Sequence, residues 1–252
     1  MREFVRGIIH VHSDFSEDGF HSVADLGDFA RETGFSFVGL TDHAEDLSPR
    51  DMANFRQECE KHSGDSCVLI PGLEFRCSGD VHMLGLGIND GIHDDDPVKV
   101  ATEIRRRGGL AVLAHPGRNG YQCPAELYPV LNGIEIWNAG YDGRFVPPLA
   151  NLRLFQEART ANHNVLGFGG EDLHIWDRPP RVVIDLQGEG IDRLDIGMVL
   201  HGLQMGRFSV HGRYLSFNAM TGPDWLGGIP LRVFRKSYEI SKTFRNLVFG
   251  ES

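Results

Sequence analysis

Short apolar runs alternate with amphipathic segments along the first 170 residues, and this alternation limits the possible folds more than any other feature. Strand-length runs and helix-length segments separated by Gly or Pro are typical of an α/β protein whose mainly parallel sheet is covered by helices. About seven strands are predicted before Gly170. We therefore expect a mainly parallel α/β fold, either open or closed into a barrel.

The predicted elements follow one another without a linker, low-complexity tract or internal repeat. The predicted strands are 7–11, 35–40, 68–75, 81–88, 110–114, 133–137 and 164–168, and the predicted helices are 23–32, 49–61, 97–107 and 147–161. After Gly170 the alternation weakens, although 191–205 is helix-like and 207–218 is predicted as a hairpin. We expect a single domain over 1–252, in which 175–252 is a helix and strand extension packed on the barrel. The apolar segment 225–234 would cover a sheet edge or a partner.

The composition excludes several classes of protein. A formal net charge of −10 disfavours tight binding to a long nucleic acid, which needs clustered Lys and Arg. The longest basic run, 105–107, ends a predicted helix, where cations complement the helix dipole. No apolar stretch approaches the roughly 18 residues of a membrane span, and no signal peptide is recognised, so we expect a cytoplasmic protein without a membrane contact. Four scattered cysteines without a CxxC pair suit free thiols in a reducing compartment.

Polar side chains recur at the C-terminal ends of the predicted strands. The first strand ends in His10-Val11-His12, whose imidazoles share a face because alternate residues of a strand point the same way. His82 is an exception, since it lies early in its strand. The other candidates follow later strands or turns: Asp18, His43, Glu74, His115, Asp172 and His174. Because the carboxyl ends of parallel strands gather on one face of a barrel, we expect these side chains to converge.

This set of residues predicts a metal centre. Imidazole and carboxylate are the ligands that suit Zn²⁺, Mn²⁺ and Fe²⁺. Six histidines and several carboxylates exceed what one tetrahedral ion binds, so we predict two or three divalent metal ions. Such ions lower the pKa of water to about 7, which provides a hydroxide nucleophile at neutral pH.

The order of these motifs resembles a known family. HxH, DG, TDH, a Glu after a strand, HxLG, HP and DxH occur in this order between residue 8 and residue 174, and resemble the PHP (polymerase and histidinol phosphatase) superfamily. The resemblance implies a distorted (β/α)7 TIM-like barrel with a metal cluster at the C-terminal ends of its strands. It also implies phosphoester hydrolysis, the activity of most characterised branches.

The resemblance assigns roles to individual positions. It implies that His10, His12, His43, Glu74, His115, Asp172 and His174 are metal ligands, with Glu74 as the carboxylate that bridges two metals. Asp18 matches a position that is Asp in some branches and His in others. The segments around His82 and 192–208 resemble the small-molecule phosphoesterase branches, and the chain has no DNA polymerase body. Glu171 departs from the family pattern, where Ser is more usual, and would add charge near the metals.

Other polar residues are candidates beside the ligands. Asp42 is interpreted as a carboxylate that orients an imidazole, with a metal ligand and a helix cap as alternatives, and either a histidine or Asp42 would pass a proton to the leaving oxygen. Arg118 is expected at the rim, where its guanidinium would bind a phosphate, and a structural ion pair is the alternative. Glu135, Trp137 and Asn138 are interpreted first as structural residues, with a place in the pocket as the alternative.

The expected activity is hydrolysis of a small phosphomonoester or a short nucleotide. In this mechanism Glu74 and Asp172 hold the metals, and Arg118 binds the substrate. Two alternatives stay open: the same centre could cleave carboxylic esters, or it could be a metal-binding module without turnover. The sequence makes no prediction of oligomeric state.

Overall fold

The computed structural model describes residues 4–88, 90–142, 145–188 and 194–223. The chain divides into two compact units, Met1–Gly222 and Pro223–Ser252, and every element described below belongs to the first. The segment 225–234 and the beginning of the predicted helix 191–205 lie outside the described residues, and the single-domain organisation stays a prediction.

Five α-helices, twelve strands and two short 3-10 helices, Ser78–Asp80 and Ala125–Val130, make up the described part of the first unit. The helices are α1 (Val23–Glu32), α2 (Pro49–His62), α3 (Pro97–Arg106), α4 (Leu149–Ala161) and α5 (Ile196–Gln204). The strands are β1 (Phe4–Val11), β2 (Phe37–Leu40), β3 (Asp42–His43), β4 (Val68–Ile70), β5 (Gly72–Cys77), β6 (Val81–Leu86), β7 (Leu110–Ala114), β8 (Gly133–Asn138), β9 (Leu166–Gly170), β10 (Val183–Gln187), β11 (Phe208–His211) and β12 (Ser216–Asn218). In the described ranges, no helix combines the length and the apolar character needed to cross a lipid bilayer.

Local sequence signals explain where the helices begin. Ser22 and Ser48 cap α1 and α2 with reciprocal side-chain and backbone hydrogen bonds to residues three positions later. Asp96 caps α3 by accepting hydrogen bonds from Val98 N and Lys99 N. The acidic run 94–96 therefore marks the start of a helix.

The strands form two mixed six-stranded sheets, in the orders β12-β11-β10-β1-β2-β4 and β3-β5-β6-β7-β8-β9. Parallel pairs join β1 to β2, β2 to β4, β7 to β8 and β8 to β9, which is the predicted arrangement. The expectation of a mainly parallel sheet is wrong for β6, which is antiparallel to β5 and β7. Only the short turn Ser78–Asp80 separates β5 from β6, and a parallel crossover needs a dozen or more residues.

The two sheets are connected at both sides. Single residues, Thr41 and Pro71, separate β2 from β3 and β4 from β5, so the chain passes twice directly from the first sheet to the second. On the other side, Glu171 N donates to Ile9 O at 3.1 Å and His12 N donates to Leu173 O at 2.8 Å. These bonds join the segment after β9 to β1. The described ladders nevertheless form two sheets, and a closed seven-stranded barrel stays a prediction.

The core lies between the strands and the helices that cover them. Every residue of β2, β7 and β9 is buried. Trp137 has no exposed surface, and a Cβ atom at Gly212 would lie 2.0 Å from its ring. The structural interpretation of Trp137 therefore holds. The predicted hairpin at 207–218 is present as β11 and β12, and β10 extends it along β1.

Candidate metal centre

The nine predicted ligands lie together where the strands of the two sheets end. They form four overlapping groups, in each of which the potential ligand atoms lie within 4.8 Å of one another: His12, Asp18, His43 and His174; His10, His115 and Asp172; His10, His12 and Glu74; and Glu74, His82 and His115. Because the groups share members, they form one continuous cluster, which we call the histidine–carboxylate cluster.

Glu74 occupies the middle of this cluster and is 1% exposed. Its two carboxylate oxygens face different sets of imidazoles. Oε2 lies 3.5 Å from His10 Nε2, 3.5 Å from His12 Nε2 and 3.2 Å from His43 Nδ1, whereas Oε1 lies 2.8 Å from His82 Nδ1 and 2.9 Å from His115 Nε2. A carboxylate in this position can contribute one oxygen to each of two neighbouring cation sites.

Two further carboxylates extend the cluster toward solvent. Asp172 Oδ1 lies 3.3 Å from His10 Nε2 and 3.5 Å from His12 Nε2. Asp18 Oδ2 lies 3.1 Å from His174 Nε2 and 3.5 Å from His43 Nε2. The side chain of Asp18 is 55% exposed while that of Asp172 is 7% exposed, so the cluster runs from a buried end to an open one.

The reversed direction of β6 explains the position of His82. In the antiparallel pairing of β6 and β7, His82 lies opposite Ala114, the last residue of β7. The start of β6 therefore lies at the same edge as the end of β7, next to His115. His82 lies at the start of β6, whereas the neighbouring ligand candidate His115 follows the end of β7. The two meet because β6 runs antiparallel to β7.

Three cluster residues have a backbone conformation that side chains rarely adopt. His10, His115 and Asp172 have φ values of 62°, 22° and 51°, and the ladder between β1 and β2 shifts register at His10. Such positive φ values in residues other than glycine cost of order 1–3 kcal/mol each and concentrate at functional sites. The strand ends are thus bent where each side chain turns into the cluster.

Imidazoles and carboxylates in the cluster shift each other's titration. Burial lowers the pKa of His10, but the carboxylates of Glu135, Asp172 and Glu74 outweigh it and raise this pKa well above its usual value. Burial also lowers the pKa of His43, and the contact with Glu74 more than compensates, raising it to about 9. Burial raises the pKa of Glu74, yet the surrounding imidazoles hold it well below its usual range. The carboxylates of the cluster therefore stabilise positive charge on the neighbouring imidazoles, and they would stabilise a bound metal cation in the same way.

The chemistry of the ligand atoms fits divalent cations. The Nε2 atoms of His10 and His12 are buried without a hydrogen-bond partner, although both lie among carboxylate oxygens. A buried polar atom without a partner costs about 1–3 kcal/mol, and metal coordination would satisfy it. Mixed imidazole and carboxylate ligands are those that Zn²⁺, Mn²⁺ and Fe²⁺ prefer.

Comparison with known proteins agrees with this geometry. Residues 9–166, more than half of the chain, match the model of the PHP domain family. The chain belongs to the PHP domain family.

A solved structure similar to this PHP domain is that of a protein from Bifidobacterium adolescentis, provisionally described as a metal-dependent phosphoesterase. The two are 18% identical, with a TM-score of 0.51, and the match covers 78% of this chain and 96% of that chain. At this identity the likeness shows a shared fold. No curated protein matches the sequence significantly.

Glu135, which the sequence indicates first as a structural residue, contacts the histidine–carboxylate cluster of the PHP domain. It has no exposed surface in β8, and its Oε1 atom lies 2.8 Å from His10 Nδ1. Its Oε2 atom accepts hydrogen bonds from His115 N at 2.8 Å and from Asn138 Nδ2 at 2.9 Å. Glu135 therefore positions His10 and His115 through atoms that do not face the other cluster residues: the Nδ1 atom of His10 and the backbone N of His115. A lone carboxylate inside the otherwise apolar run Gly-Ile-Glu-Ile-Trp was the signal that pointed to it.

Asp42 also lies behind the cluster of the PHP domain. Its carboxylate accepts hydrogen bonds from Ser13 N and Oγ at 2.7 and 2.8 Å, and from Ser16 N and Oγ at 3.2 and 2.8 Å. Ser16 Oγ in turn accepts from His43 N at 2.9 Å and lies 3.4 Å from His12 Nδ1. This placement favours the orienting role over the proton-transfer role, because Ser13 and Ser16 occupy both carboxylate oxygens.

Arg118 lies at the predicted rim of the PHP domain's cluster. Its Nη1 atom donates to the hydroxyl of Tyr141 at 2.8 Å, and the Tyr141 ring packs on His115 with centroids 4.6 Å apart. Its Nε atom donates to Asp80 Oδ2 at 3.3 Å. Asn138 accepts hydrogen bonds from Gly140 N and Tyr141 N, so it shapes the turn that carries this tyrosine.

Glu171 binds a different part of the PHP domain. Its Oε1 atom accepts hydrogen bonds from Arg181 N at 2.6 Å and Val182 N at 2.5 Å. Burial raises the pKa of this carboxyl to about 7 despite these two bonds. Glu171 therefore anchors the segment before β10, and its predicted contribution of charge near the metals stays a prediction.

Proposed function

We propose that this PHP domain is a metal-dependent hydrolase that cleaves small phosphate esters. The observation that supports this most directly is Glu74, whose two oxygens face separate sets of imidazoles within hydrogen-bonding distance or just beyond it. A buried carboxylate so placed suits a centre with more than one cation, the arrangement common in enzymes that transfer phosphoryl groups.

Two or three divalent cations, Mn, Zn or Fe, would be held by the nine residues of the histidine–carboxylate cluster: His10, His12, Asp18, His43, Glu74, His82, His115, Asp172 and His174. When bound, such cations lower the pKa of water and neutralise the charge of phosphoryl oxygens. The protein's own contribution is to fix the ligands. Glu135 holds His10, and Asp42 acts through Ser16 on His12 and His43.

The substrate would enter from the open end of the cluster. The side chains of Asp18, His43 and His174 are 55%, 20% and 29% exposed, in contrast to the buried His10 and Glu74. Arg118 would bind a phosphate on the side of the cluster formed by His82 and His115, since it bonds Tyr141, whose ring packs on His115, and Asp80, which lies 3.6 Å from His82. Because the chain carries a formal net charge of −10, we infer a small phosphomonoester or short nucleotide as substrate.

The linked sheets support the barrel that the family implies. Hydrogen bonds from Glu171 N to Ile9 O and from Leu173 N to His10 O, both at 3.1 Å, connect the last strand of the second sheet to β1. We infer that seven strand segments surround one interior and form a distorted barrel. These segments are β1, β2–β3, β4–β5, β6, β7, β8 and β9.

Metal analysis combined with a substrate panel tests the proposal. Protein purified without chelators is analysed for Mn, Fe and Zn, and then assayed on p-nitrophenyl phosphate, bis(p-nitrophenyl) phosphate and p-nitrophenyl acetate. We expect two or three metal equivalents per chain, with turnover of phosphate esters that His43→Ala abolishes and the exposed control His163→Ala does not.

The other outcomes separate the alternatives. Turnover of p-nitrophenyl acetate without turnover of either phosphate ester would replace the proposal with carboxylic ester hydrolysis. Full metal content without turnover of any ester would support a metal-binding module.

A further inference from the structure

A second site lies away from the histidine–carboxylate cluster, in a cavity of about 810 Å³ beside β1, β10 and β11. Four arginines and a histidine line it: Arg6, Arg178, Arg181, Arg213 and His211. Among the described residues that line this cavity, none is acidic. We call it the arginine cavity. Its Arg6 precedes His10 by four residues in β1, a separation of about 13 Å along a strand.

One wall of the arginine cavity is built on the sheet. Arg6 donates from Nε and Nη2 to the two oxygens of Asp185, both at 2.6 Å. His211 Nε2 lies 3.5 Å from Asp185 Oδ2. Asp185 is 8% exposed, whereas the side chain of Arg6 is 54% exposed. The carboxylate therefore lies beneath the guanidinium and orients it, leaving the cation at the surface of the cavity.

A rigid segment forms the second wall. Pro179 and Pro180 stand between Arg178 and Arg181, and each proline ring restricts its backbone torsion. The hydrogen bonds from Arg181 N and Val182 N to Glu171 fasten the same segment. Both arginines are thus carried on a backbone that is held in place before any ligand binds, which reduces the entropy lost on binding.

Arg178 has an unsatisfied donor in this wall. Its Nε atom is buried without a hydrogen-bond partner, and its contact with Asp177, from Nη1 at 3.5 Å, lies at the limit of hydrogen bonding. A buried guanidinium donor without an acceptor is costly, and an anion in the cavity would supply the acceptor.

Arg213 and Phe145 line the third wall, and the ring of Tyr214 lies beside both of them. The guanidinium carbon of Arg213 lies 5.2 Å from the centroid of the Tyr214 ring, and the Tyr214 and Phe145 centroids lie 5.8 Å apart. A cation stacked on a ring keeps its edge available for oxygen ligands.

We propose that the arginine cavity binds a small anion that contains two linked phosphates. Four guanidinium groups in one cavity of a protein with net charge −10 reverse the local charge, and Asp185 and Asp177 neutralise only part of it. Guanidinium groups on three separate walls match an anion with two linked phosphates better than a single carboxylate. The cavity also has the volume of a typical small-molecule site, which is about 300–1,000 Å³. Inorganic diphosphate and a nucleoside diphosphate share this chemistry.

Calorimetric titration of the metal-loaded, full-length protein with ADP and with pyrophosphate tests the proposal. One of these two probes will bind the unaltered protein more tightly. We expect that probe to bind the double variant Arg178→Gln/Arg213→Gln at least about tenfold more weakly than it binds the unaltered protein. The metal content and melting temperature of the variant are expected to stay unchanged. The matched control Arg50→Gln/Arg153→Gln removes the same charge from exposed positions and is expected to bind like the unaltered protein. Glu74→Gln, which alters the metal cluster, is expected to retain binding at the cavity.

The outcomes decide both the site and the ligand. ADP binding at least about tenfold tighter than pyrophosphate would assign the cavity to a nucleoside diphosphate, because the aromatic wall then contributes; equal or tighter pyrophosphate binding would assign it to the inorganic ion. Either result supports the proposal. Binding that the cavity variant retains and Glu74→Gln loses would place the ligand on the metal cluster and overturn it, as would the absence of millimolar or tighter binding of both probes.

Discussion

Oε1 of Glu135 lies 2.8 Å from Nδ1 of His10, and neither side chain has any exposed surface. The hydrogen bond leaves Nε2 of His10 directed at Glu74 and Asp172, at 3.5 and 3.3 Å. A carboxylate behind a ligating imidazole sets its tautomer and orientation and raises its basicity. The buried glutamate of β8 is thus part of the centre without belonging to the ligand set.

Replacing this carboxylate is expected to weaken metal binding without unfolding the protein. Glu135→Gln keeps the shape but loses the negative charge that faces His10, so we expect metal affinity to fall about 10- to 100-fold. A competition titration against a chromophoric chelator measures the change, and circular dichroism monitors the fold. The exposed Glu126→Gln serves as the matched control. Unchanged affinity in Glu135→Gln would show that His10 needs no support from β8.

Asp42→Asn is expected to destabilise the loop after β1. The carboxylate accepts four hydrogen bonds, from the backbone and hydroxyl groups of Ser13 and Ser16, and an amide can replace only one of the two oxygens. Hydrogen bonds to charged groups contribute about 1.5–3 kcal/mol, so the free energy of unfolding should fall by about that amount. Denaturant unfolding measures the change, with the exposed Asp65→Asn as the control.

The same variant separates orientation from proton transfer. Because Ser16 contacts His12 and His43, Asp42→Asn should lower metal affinity together with activity. Full metal affinity with a shifted pH profile of turnover would instead support proton transfer by Asp42.

Metal binding is expected to release protons. Burial lowers the pKa of His43, but Glu74 and Asp18 outweigh it and raise this pKa to about 9, so His43 is protonated at neutral pH in chelator-treated protein. The carboxylates around His10 shift its pKa in the same direction. Ligation requires neutral imidazole, so at least about one proton should leave near pH 7. The number should fall as the pH rises through about 9, where His43 has already lost its proton.

Calorimetry in buffers of different ionisation enthalpy counts these protons. His43→Gln is expected to release about one proton fewer than the unaltered chain near pH 7. Equal release by both proteins would mean that His43 is neutral before metal binds.

The cysteines are expected to resist thiol reagents in the folded protein. Cys59, Cys67, Cys77 and Cys123 are all free. Burial raises the pKa of all four thiols: to about 11 for Cys67, to about 12 for Cys77 and Cys123, and well above the usual value for Cys59. Since the thiolate is the reactive form, titration with a disulfide reagent near pH 8 should be slow until guanidinium chloride exposes all four. Rapid reaction of the folded protein would indicate that the structure around the reacting cysteine opens readily.

The sequence by itself determined the candidate ligands and most of the elements. His10, His12, His43 and His115 follow apolar runs of strand length, and their positions relative to those strands can be recognised from local periodicity. The capped helices α1, α2 and α3 are likewise local, since each cap involves residues within three positions.

Only the tertiary structure decided the direction of β6, the role of Glu135 and the arginine cavity. Strand direction depends on which neighbours a strand pairs with, and that pairing brings His82 to the end of β7. Glu135 and His10 are 125 positions apart, and Arg6 and Asp185 are 179 apart. Periodicity reports which face of an element is apolar, whereas contacts across such distances arise from packing of the whole sheet. Local periodicity therefore identifies the candidate ligands, whereas the residues that position them are identified only by contacts between distant parts of the chain.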